Sequence, residues 1–315
     1  MSRILTIKET AQLLLSRDSF LLLTHKNPDG DTVCSAAALC SALRRNGKTA
    51  YIARNDEIIE KLRGYSDPFT APEDYKYECV VAVDCATEEM FARIYSGPVY
   101  AAIDHHPTNS RYAENLLLDD DKSACGEIVL ALIEEMNGAL TKPEAEMLYV
   151  ALITDNGCFQ YANTNSASFL AAAKLVNYGI DNGALSVKFI RKQSFARIKL
   201  EAEMYSDIRR YRDGKIIILR VSQAMLNRCG CTENDLSDLA GLAGRCEGSV
   251  VNITLREQSD GTTKVSVRTT PDVSASDICA RFGGGGHFMA AGCNIPSGLN
   301  EAEAQLLQVI DEVWA

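Results

Sequence analysis

Residues 20–35, Phe20-Leu21-Leu22-Leu23-Thr24-His25-Lys26-Asn27-Pro28-Asp29-Gly30-Asp31-Thr32-Val33-Cys34-Ser35, decide how the rest of the chain reads. The apolar run from Phe20 to Leu23 is brief, continuous and ends in turn residues, the pattern of a short buried strand. Ala36 to Leu43 is a good helix former, and Gly47 stands just past its end. One imidazole and two carboxylates therefore sit on a strand-to-helix turn, and in an open α/β sheet that edge is where ligands bind. Asp29 and Asp31, two apart across a glycine, repel each other unless a cation lies between them. A metal site is the economical explanation.

The same pattern recurs outward from this stretch. Thr6-Ile7-Lys8-Glu9 reads as a capping box opening a helix with Ala11, Leu14 and Leu15 on its apolar face. Ala50 to Ala53 is expected as a second strand, and residues 56–78 show no clear period. Cys79 to Val83 is β-branched and ends in Asp84; Val99 to Ile103 is similar and ends in Asp104-His105-His106-Pro107. Helical patterns fall at residues 86–94, at 123–136 closed by Gly138, and at 143–153 opened by Pro143. The last runs into an acidic turn, Thr154-Asp155-Asn156-Gly157, and a further helix spans 166–178 up to Gly179. Continuous apolar strands alternating with helices predict an α/β fold with a mostly parallel sheet covered on both faces.

The composition changes near residue 181. Residues 193–211 are charged and amphipathic, as expected of a connecting helix. Beyond Gly214, strands are expected from Ile216 to Val221, Val250 to Leu255 and Lys264 to Arg268, with Asp260-Gly261 as the hairpin turn between the last two. A helical stretch from Glu233 to Ala243 intervenes, and a helix from Asn300 to Val313 ends the chain. The expected organisation is a metal-binding catalytic domain over 1–185, a connecting helix within 186–213, and a smaller α/β domain over 214–315, with the active site in the cleft between the two domains.

With 315 residues, 46% hydrophobic and 23% charged, the chain has the make-up of a globular protein of about two domains. Its net charge of −10 argues against a protein held on long nucleic acid by its general field. Short phosphorylated substrates remain compatible, because bound divalent metals reverse the sign locally. None of the eleven cysteines falls in a CxxC pair, which fits free thiols in a reducing cytoplasm. Cys229-Gly230-Cys231 has no matching second pair, so zinc there is a minor reading. There is no signal-peptide pattern and no apolar run near the length of a membrane span, so a soluble, cytoplasmic protein without membrane partners is expected.

The chain contains only four histidines, His25, His105, His106 and His287. Three lie at strand ends beside aspartates and the fourth follows four glycines. A lone histidine is more often a packed residue than a ligand, but four out of four in acidic or glycine turns is hard to reconcile with that reading. Asp84 alone could be a helix N-cap and Asp155 an ordinary turn former. Together these residues supply carboxylates and imidazoles at one sheet edge. Mixed Asp/His ligation without thiolates suits Mn²⁺, Co²⁺, Fe²⁺ or Mg²⁺ better than structural zinc. The ligands are too many for one ion and adequate for two, and two neighbouring metals clamp a phosphoryl group, which makes phosphoester hydrolysis the default chemistry.

A second feature is Arg281-Phe282-Gly283-Gly284-Gly285-Gly286-His287-Phe288-Met289-Ala290-Ala291-Gly292. Glycine runs are often linkers, but apolar residues flank this one tightly. It is expected to open a helix and to turn backbone N–H groups toward an anion, with His287 as a further donor. Arg268, at a strand end, fits a bidentate phosphate clamp.

His25-Lys-Asn-Pro-Asp29-Gly-Asp31, Asp84, Asp104-His105-His106, Asp155 and Gly283 to His287 occur in the order and at the distances of the DHH phosphoesterase family with its DHH-associated C-terminal domain. The chain resembles that family over nearly its whole length. Within it, the two-domain form of this size is most similar to the group of nanoRNases that also act as 3′-phosphoadenosine 5′-phosphate phosphatases. The resemblance implies that His25, Asp29 and Asp84 hold one metal and Asp31, Asp84, His105 and Asp155 the other, with Asp84 bridging and manganese as the ion. It implies that Asp104 fixes a histidine tautomer and that His106 faces the substrate phosphate as stabiliser or proton donor. Arg268, Gly283, Gly284, Gly285, Gly286 and His287 match the family's substrate-binding elements. Cys34 stands where the family usually has glycine, and Thr269 where serine is common; both bear on substrate preference rather than on the ligands.

The implied activity is a manganese-dependent hydrolase that takes short RNA oligonucleotides to mononucleotides, and 3′-phosphoadenosine 5′-phosphate to AMP and phosphate, by in-line attack of a metal-bridging hydroxide. The nearest rival is a hydrolase of linear or cyclic dinucleotides such as those of cyclic di-AMP turnover. A family II pyrophosphatase lacks the Gly283 to His287 element, a long-substrate exonuclease fits neither length nor charge, and a nucleotide sensor without catalysis would need a missing ligand where none is missing. Oligomeric state is left open, a homodimer included.

Overall fold

The structure is a computed structural model describing residues 2–236 and 239–314, and it divides into two compact units, residues 1–192 and 193–315. The first unit is built on a six-stranded, all-parallel sheet in the order β1-β6-β5-β4-β2-β3. Its strands are β1 (Arg3–Ile4), β2 (Phe20–Leu23), β3 (Ala50–Ile52), β4 (Cys79–Val83), β5 (Ala101–Asp104) and β6 (Asn115–Leu118). All four residues of β2 are buried because the sheet has a core on each face. Phe20 and Leu22 enter the larger core and Leu21 and Leu23 the other, which is why the strand reads as an unbroken apolar run.

The helices are α1 (Ile7–Leu15), α2 (Gly30–Arg45), α3 (Glu60–Ser66), α4 (Cys125–Asn137), α5 (Lys142–Asp155), α6 (Ser166–Val176) and α7 (Asn182–Ser186). Capping boxes start α1 at Thr6 and α5 at Thr141, and Gly138 ends α4 in the left-handed region. The alanines and small residues of α2 let it lie at the centre of the larger core, buried along nearly its whole length. The opposite face departs from expectation. The helix expected at 86–94 is only a 3₁₀ turn, Glu88–Met90, because the Ala86 carbonyl accepts from Ser110 N and its amide meets the Met90 sulfur. Phe91, Val99 and Ala113 cover that face from irregular segments. The short β1, the leucine-rich β6 and helix α3 within 56–78 carry no period that sequence reading detects.

The second unit holds a mixed six-stranded sheet in the order β11-β12-β10-β9-β8-β7. These are β7 (Arg209–Tyr211), β8 (Ile216–Val221), β9 (Val251–Glu257), β10 (Thr263–Thr269), β11 (Gly285–His287) and β12 (Ala290–Ile295). Only β8 and β9 run parallel. Helices α10 (Ala275–Ala280) and α11 (Leu299–Val313) build one core; α8 (Phe195–Ser206) and α9 (Gln223–Cys229) build the other. The amphipathic stretch over 193–211 is thus helical only over α8, and Leu200 and Met204 pack into this unit's own core. Of the helical stretch expected from Glu233 to Ala243, residues 237 and 238 lie outside the described residues; Glu233–Asp235 and Leu239–Gly241 are 3₁₀ turns. No helix among the described residues is long and apolar enough to cross a membrane.

The glycine run corrects another expectation. It does not open a helix; it follows α10 and becomes β11, folded back on β12 as a hairpin. A Cβ at Gly284 would lie 2.3 Å from the Gly292 carbonyl oxygen, so the backbones approach too closely for any side chain there.

Candidate functional site

Strands β2, β4 and β5 are neighbours, and their carboxyl ends deliver His25, Asp84 and the pair Asp104-His105 to one edge of the sheet. The chain leaves β2 toward β3 on one side and β4 toward β5 on the other, so this edge is the point where strand order reverses. Asp29 caps α2, its Oδ1 accepting from Asp31 N at 3.0 Å and Thr32 N at 3.1 Å. Asp155, the last residue of α5, comes in from the side. Asp84 sits at φ 59°, a left-handed conformation that turns the chain sharply off β4.

Hydrogen bonds fix both histidine tautomers. His25 Nδ1 lies 2.8 Å from the Lys26 carbonyl and His105 Nδ1 lies 3.1 Å from the Lys122 carbonyl. A carbonyl only accepts, so each Nδ1 carries the proton and each Nε2 presents its lone pair. His25 Nε2 faces Asp29 Oδ1 at 3.6 Å and Asp84 Oδ2 at 3.7 Å. His105 Nε2 faces Asp84 Oδ1 at 3.4 Å and Asp155 Oδ2 at 3.7 Å. These separations are too long for hydrogen bonds and suit donors arranged around a cation.

The donor atoms form three overlapping groups, His25 with Asp29 and Asp84, Asp31 with His105 and Asp155, and Asp84 with His105 and His106. Asp84 belongs to two of them, as does His105. The buried Asp84 Oδ1 and His105 Nε2 have no hydrogen-bond partner among the described residues. Two orphaned polar atoms in a nest of carboxylates fit divalent metal, and this donor set can hold it.

The electrostatics agree. Burial, reinforced by the Asp155 charge, pushes the Asp31 carboxyl up to about 7. Burial and the Asp29 charge push Asp155 up to about 7 as well. Asp84 is driven well above the carboxylate range by burial and then by the charges of Asp31, Asp29 and Asp155. His106 stands apart: burial works to lower its imidazole pKa, but the 2.8 Å bond from Nδ1 to Asp104 Oδ1 and the charges of Asp104, Asp155 and Asp31 together raise it. That bond also leaves His106 Nε2 as the atom free to turn toward a ligand.

Several supports carried no signal in the sequence. Asp31 Oδ2 accepts from Cys125 N at 2.6 Å, and its Oδ1 accepts from Gly126 N at 2.9 Å and from Ser35 Oγ at 2.8 Å. The N-terminus of α4 thus holds a carboxylate from α2. Asn109 donates to Asp104 Oδ2 at 2.6 Å, and Asn55 donates to the His25 carbonyl at 3.0 Å. A side chain at fixed spacing from His106 could have flagged Asn109; the carbonyls of Lys26 and Lys122 leave no mark in residue identity.

In the second unit, Arg268 of β10 pairs with Ala290 of β12, which pairs with His287 of β11. Arg268 and His287 are therefore in one row across three strands, about 10 Å apart at the backbone with a small residue between them. Both are exposed. Gly283 and Gly284 lead into the same hairpin, and Gly285 and Gly286 lie within β11.

The chain is similar to known proteins over both units. Residues 19–152 match the profile of the DHH family, N-terminal domain, and residues 213–315 that of the DHHA1 domain. The bifunctional oligoribonuclease and PAP phosphatase NrnA of Thermus thermophilus is 31% identical, over 92% of this chain and 89% of its own. The protein of the same name from Bacillus subtilis is 25% identical over 89% of this chain and 90% of its own. Among solved structures, an exopolyphosphatase-related protein from Bacteroides fragilis superposes with a TM-score of 0.87 at 20% identity, covering 97% of this chain and 96% of that one, which shows a shared fold.

Proposed function

The chain belongs to the DHH family, with a DHHA1 domain following the DHH domain, and on that premise we propose that it hydrolyses short RNA oligonucleotides to 5′-mononucleotides and 3′-phosphoadenosine 5′-phosphate to AMP and phosphate. The observation that carries this reading is Asp84, shared by two donor groups at the sheet edge of a chain similar to proteins named for both activities.

In both substrates the bond broken joins phosphorus to a ribose 3′-oxygen, so one site serves both. We propose Mn²⁺ as the ion, held by His25, Asp29 and Asp84 at one position and by Asp31, Asp84, His105 and Asp155 at the next. Such ions supply Lewis acidity at the phosphoryl oxygens and a nucleophilic oxygen at neutral pH. The chain's own groups do the rest. Lys26 and Lys122 carbonyls keep the His25 and His105 lone pairs turned inward. Asp104 holds His106, whose Nε2 donates a proton to the departing 3′-oxygen as the phosphorus–oxygen bond breaks. Arg268 and His287 bind a phosphate of the substrate, and Gly283 to Gly286 lead the chain into the strand that carries His287; the Gly283 and Gly284 amides are themselves taken by the Ala280 and Cys279 carbonyls. The net charge of −10 accords with short rather than long nucleic acid.

The test is product release with Mn²⁺ from a short RNA oligomer, 3′-phosphoadenosine 5′-phosphate and a cyclic dinucleotide, each with wild type and Asp84→Asn. Turnover of the first two by wild type only supports the proposal. Preference for the cyclic compound reassigns the protein to cyclic-dinucleotide turnover, and no turnover of any removes the function.

A further inference from the structure

We infer that Phe159, Tyr161 and Phe169 form a nucleobase-stacking subsite beside the candidate metal centre. The inference rests on the function proposed above and adds to it the part of the substrate that carries no charge.

The segment leaving Asp155 passes through three successive left-handed residues, Gly157 at φ 59°, Cys158 at φ 55° and Phe159 at φ 67°. Cysteine and phenylalanine take that conformation only where their surroundings enforce it. Here Cys158 N donates to the Ile153 carbonyl at 2.7 Å, Phe159 N to Asn156 Oδ1 at 2.9 Å and Tyr161 N to the Asn156 carbonyl at 3.1 Å. The Tyr161 ring lies so close over Gly157 that a Cβ there would come within 2.5 Å of it. The Phe159 ring stacks on Phe169 with centroids 5.0 Å apart and planes at 21°. This enforced turn does not bury its rings: Tyr161 is 57% and Phe169 56% exposed.

Both ring carriers are tied to the groups that build the metal centre. Asn163 Nδ2 donates to the Ser123 carbonyl at 3.0 Å and toward the Asp155 carbonyl at 3.4 Å. Ser168, next to Phe169, donates to Ser123 Oγ at 2.8 Å. Ser123 follows Lys122, whose carbonyl orients His105. The aromatic surface is therefore held at a fixed place relative to His105 and Asp155.

The chemistry selects the occupant. Residues 155–170 contain no lysine or arginine, so this surface has no grip on phosphate. It offers flat, uncharged rings on a turn whose asparagines, Asn156, Asn163 and Asn165, are spent on internal hydrogen bonds, which leaves stacking as the means of holding a ligand; stacking tolerates any base, because every base has a π-face.

The experiment is steady-state hydrolysis, with Mn²⁺, of a diadenylate and of the two analogues in which one or the other adenine is replaced by hydrogen. Wild type is compared with the Tyr161→Ser/Phe169→Ser double variant and with Tyr161→Phe/Phe169→Trp, which keeps both rings. The expected result is a loss of about tenfold in kcat/KM for diadenylate in the serine variant. Its preference for the intact compound over one abasic analogue disappears, and the aromatic variant retains wild-type discrimination. Equal losses on all three compounds overturn the inference, as does a loss accompanied by a change of oligomeric state in sedimentation velocity. If wild type cleaves all three equally, the stacking subsite falls while the proposed function stands; if it cleaves none, both fall. Should the serine variant fail to fold, Tyr161→Leu/Phe169→Leu is read by the same criteria.

Discussion

Asp84 Oδ1 and His105 Nε2 lie 3.4 Å apart at the ends of adjacent strands, both buried and neither hydrogen-bonded to any described residue. In a folded protein such a pair is costly unless something with positive charge satisfies both.

Thermal stability of the metal-free protein should therefore fall as pH rises. Asp31 and Asp155, each pushed up to about 7 from 3.8, keep protons in the folded state that the unfolded chain has already released. The folded state binds more protons between about pH 4 and 7, and stability drops across that window. The raised His106 works in the same direction. Calorimetry of chelator-treated protein at pH 5 and pH 8 should give the lower Tm at pH 8, with Mn²⁺ restoring more at pH 8 than at pH 5. A Tm that does not depend on pH would contradict the charge crowding described here.

Asp84→Asn should fold, since asparagine tolerates the left-handed φ of 59° at this position. Turnover should drop by at least about 10²–10³-fold, the scale of losing a key electrostatic group. Bound metal, measured by elemental analysis, should fall below wild type. Metal-free Asp84→Asn should match or exceed the wild-type Tm at pH 8, because a repelling carboxylate has been removed. Wild-type metal content in this variant would show that Asp84 is no ligand.

Asn109→Ala removes the donor to Asp104 Oδ2 while leaving every candidate metal ligand in place. Activity should decrease by about 10–100-fold, as for other groups that orient a ligand's neighbour. Stability should decrease by about 1–3 kcal/mol from the unsatisfied carboxylate. Metal content should not change, and denaturant titration alongside elemental analysis separates the two effects.

Gly284→Ala and Gly285→Ala should behave oppositely although the residues are adjacent. A Cβ at Gly284 meets Gly292 O at 2.3 Å and Cys293 Cβ at 2.4 Å, whereas a Cβ at Gly285 meets nothing within 4 Å. The first should cost about 1–3 kcal/mol as an overpacked contact and raise KM by displacing His287. The second should leave Tm unchanged. Equal effects would argue against the hairpin.

The gathering of His25, Asp84 and His105 at one sheet edge was legible in the sequence because these residues break a rule of composition. Thr24-His25, Asp84 and Asp104-His105 are polar residues that follow unbroken apolar runs, and the strands themselves are apolar because both faces are buried. Where structure came from tertiary contacts, sequence reading failed. Residues 86–94 carry helical spacing, yet the Ala86 carbonyl pairs with Ser110, far along the chain. Gly283 to Gly286 read as a helix-opening phosphate loop, but at Gly284 and Gly286 the missing side chain serves the close approach to β12. Local pattern cannot distinguish a glycine that exposes amides from one that admits a neighbouring strand.

The clasp between Asp31 and the first amides of α4 bears on how inactive forms of this protein should be made. Asp31 is wholly buried and fastens two core helices, so its loss would confound chemistry with architecture. Asp155, a quarter exposed at the end of α5, and His106, a third exposed, have no such duty. A substrate-trapping variant, meant to hold an uncleaved ligand in an intact fold, is better sought at His106 or Asp155 than at the most deeply placed aspartate.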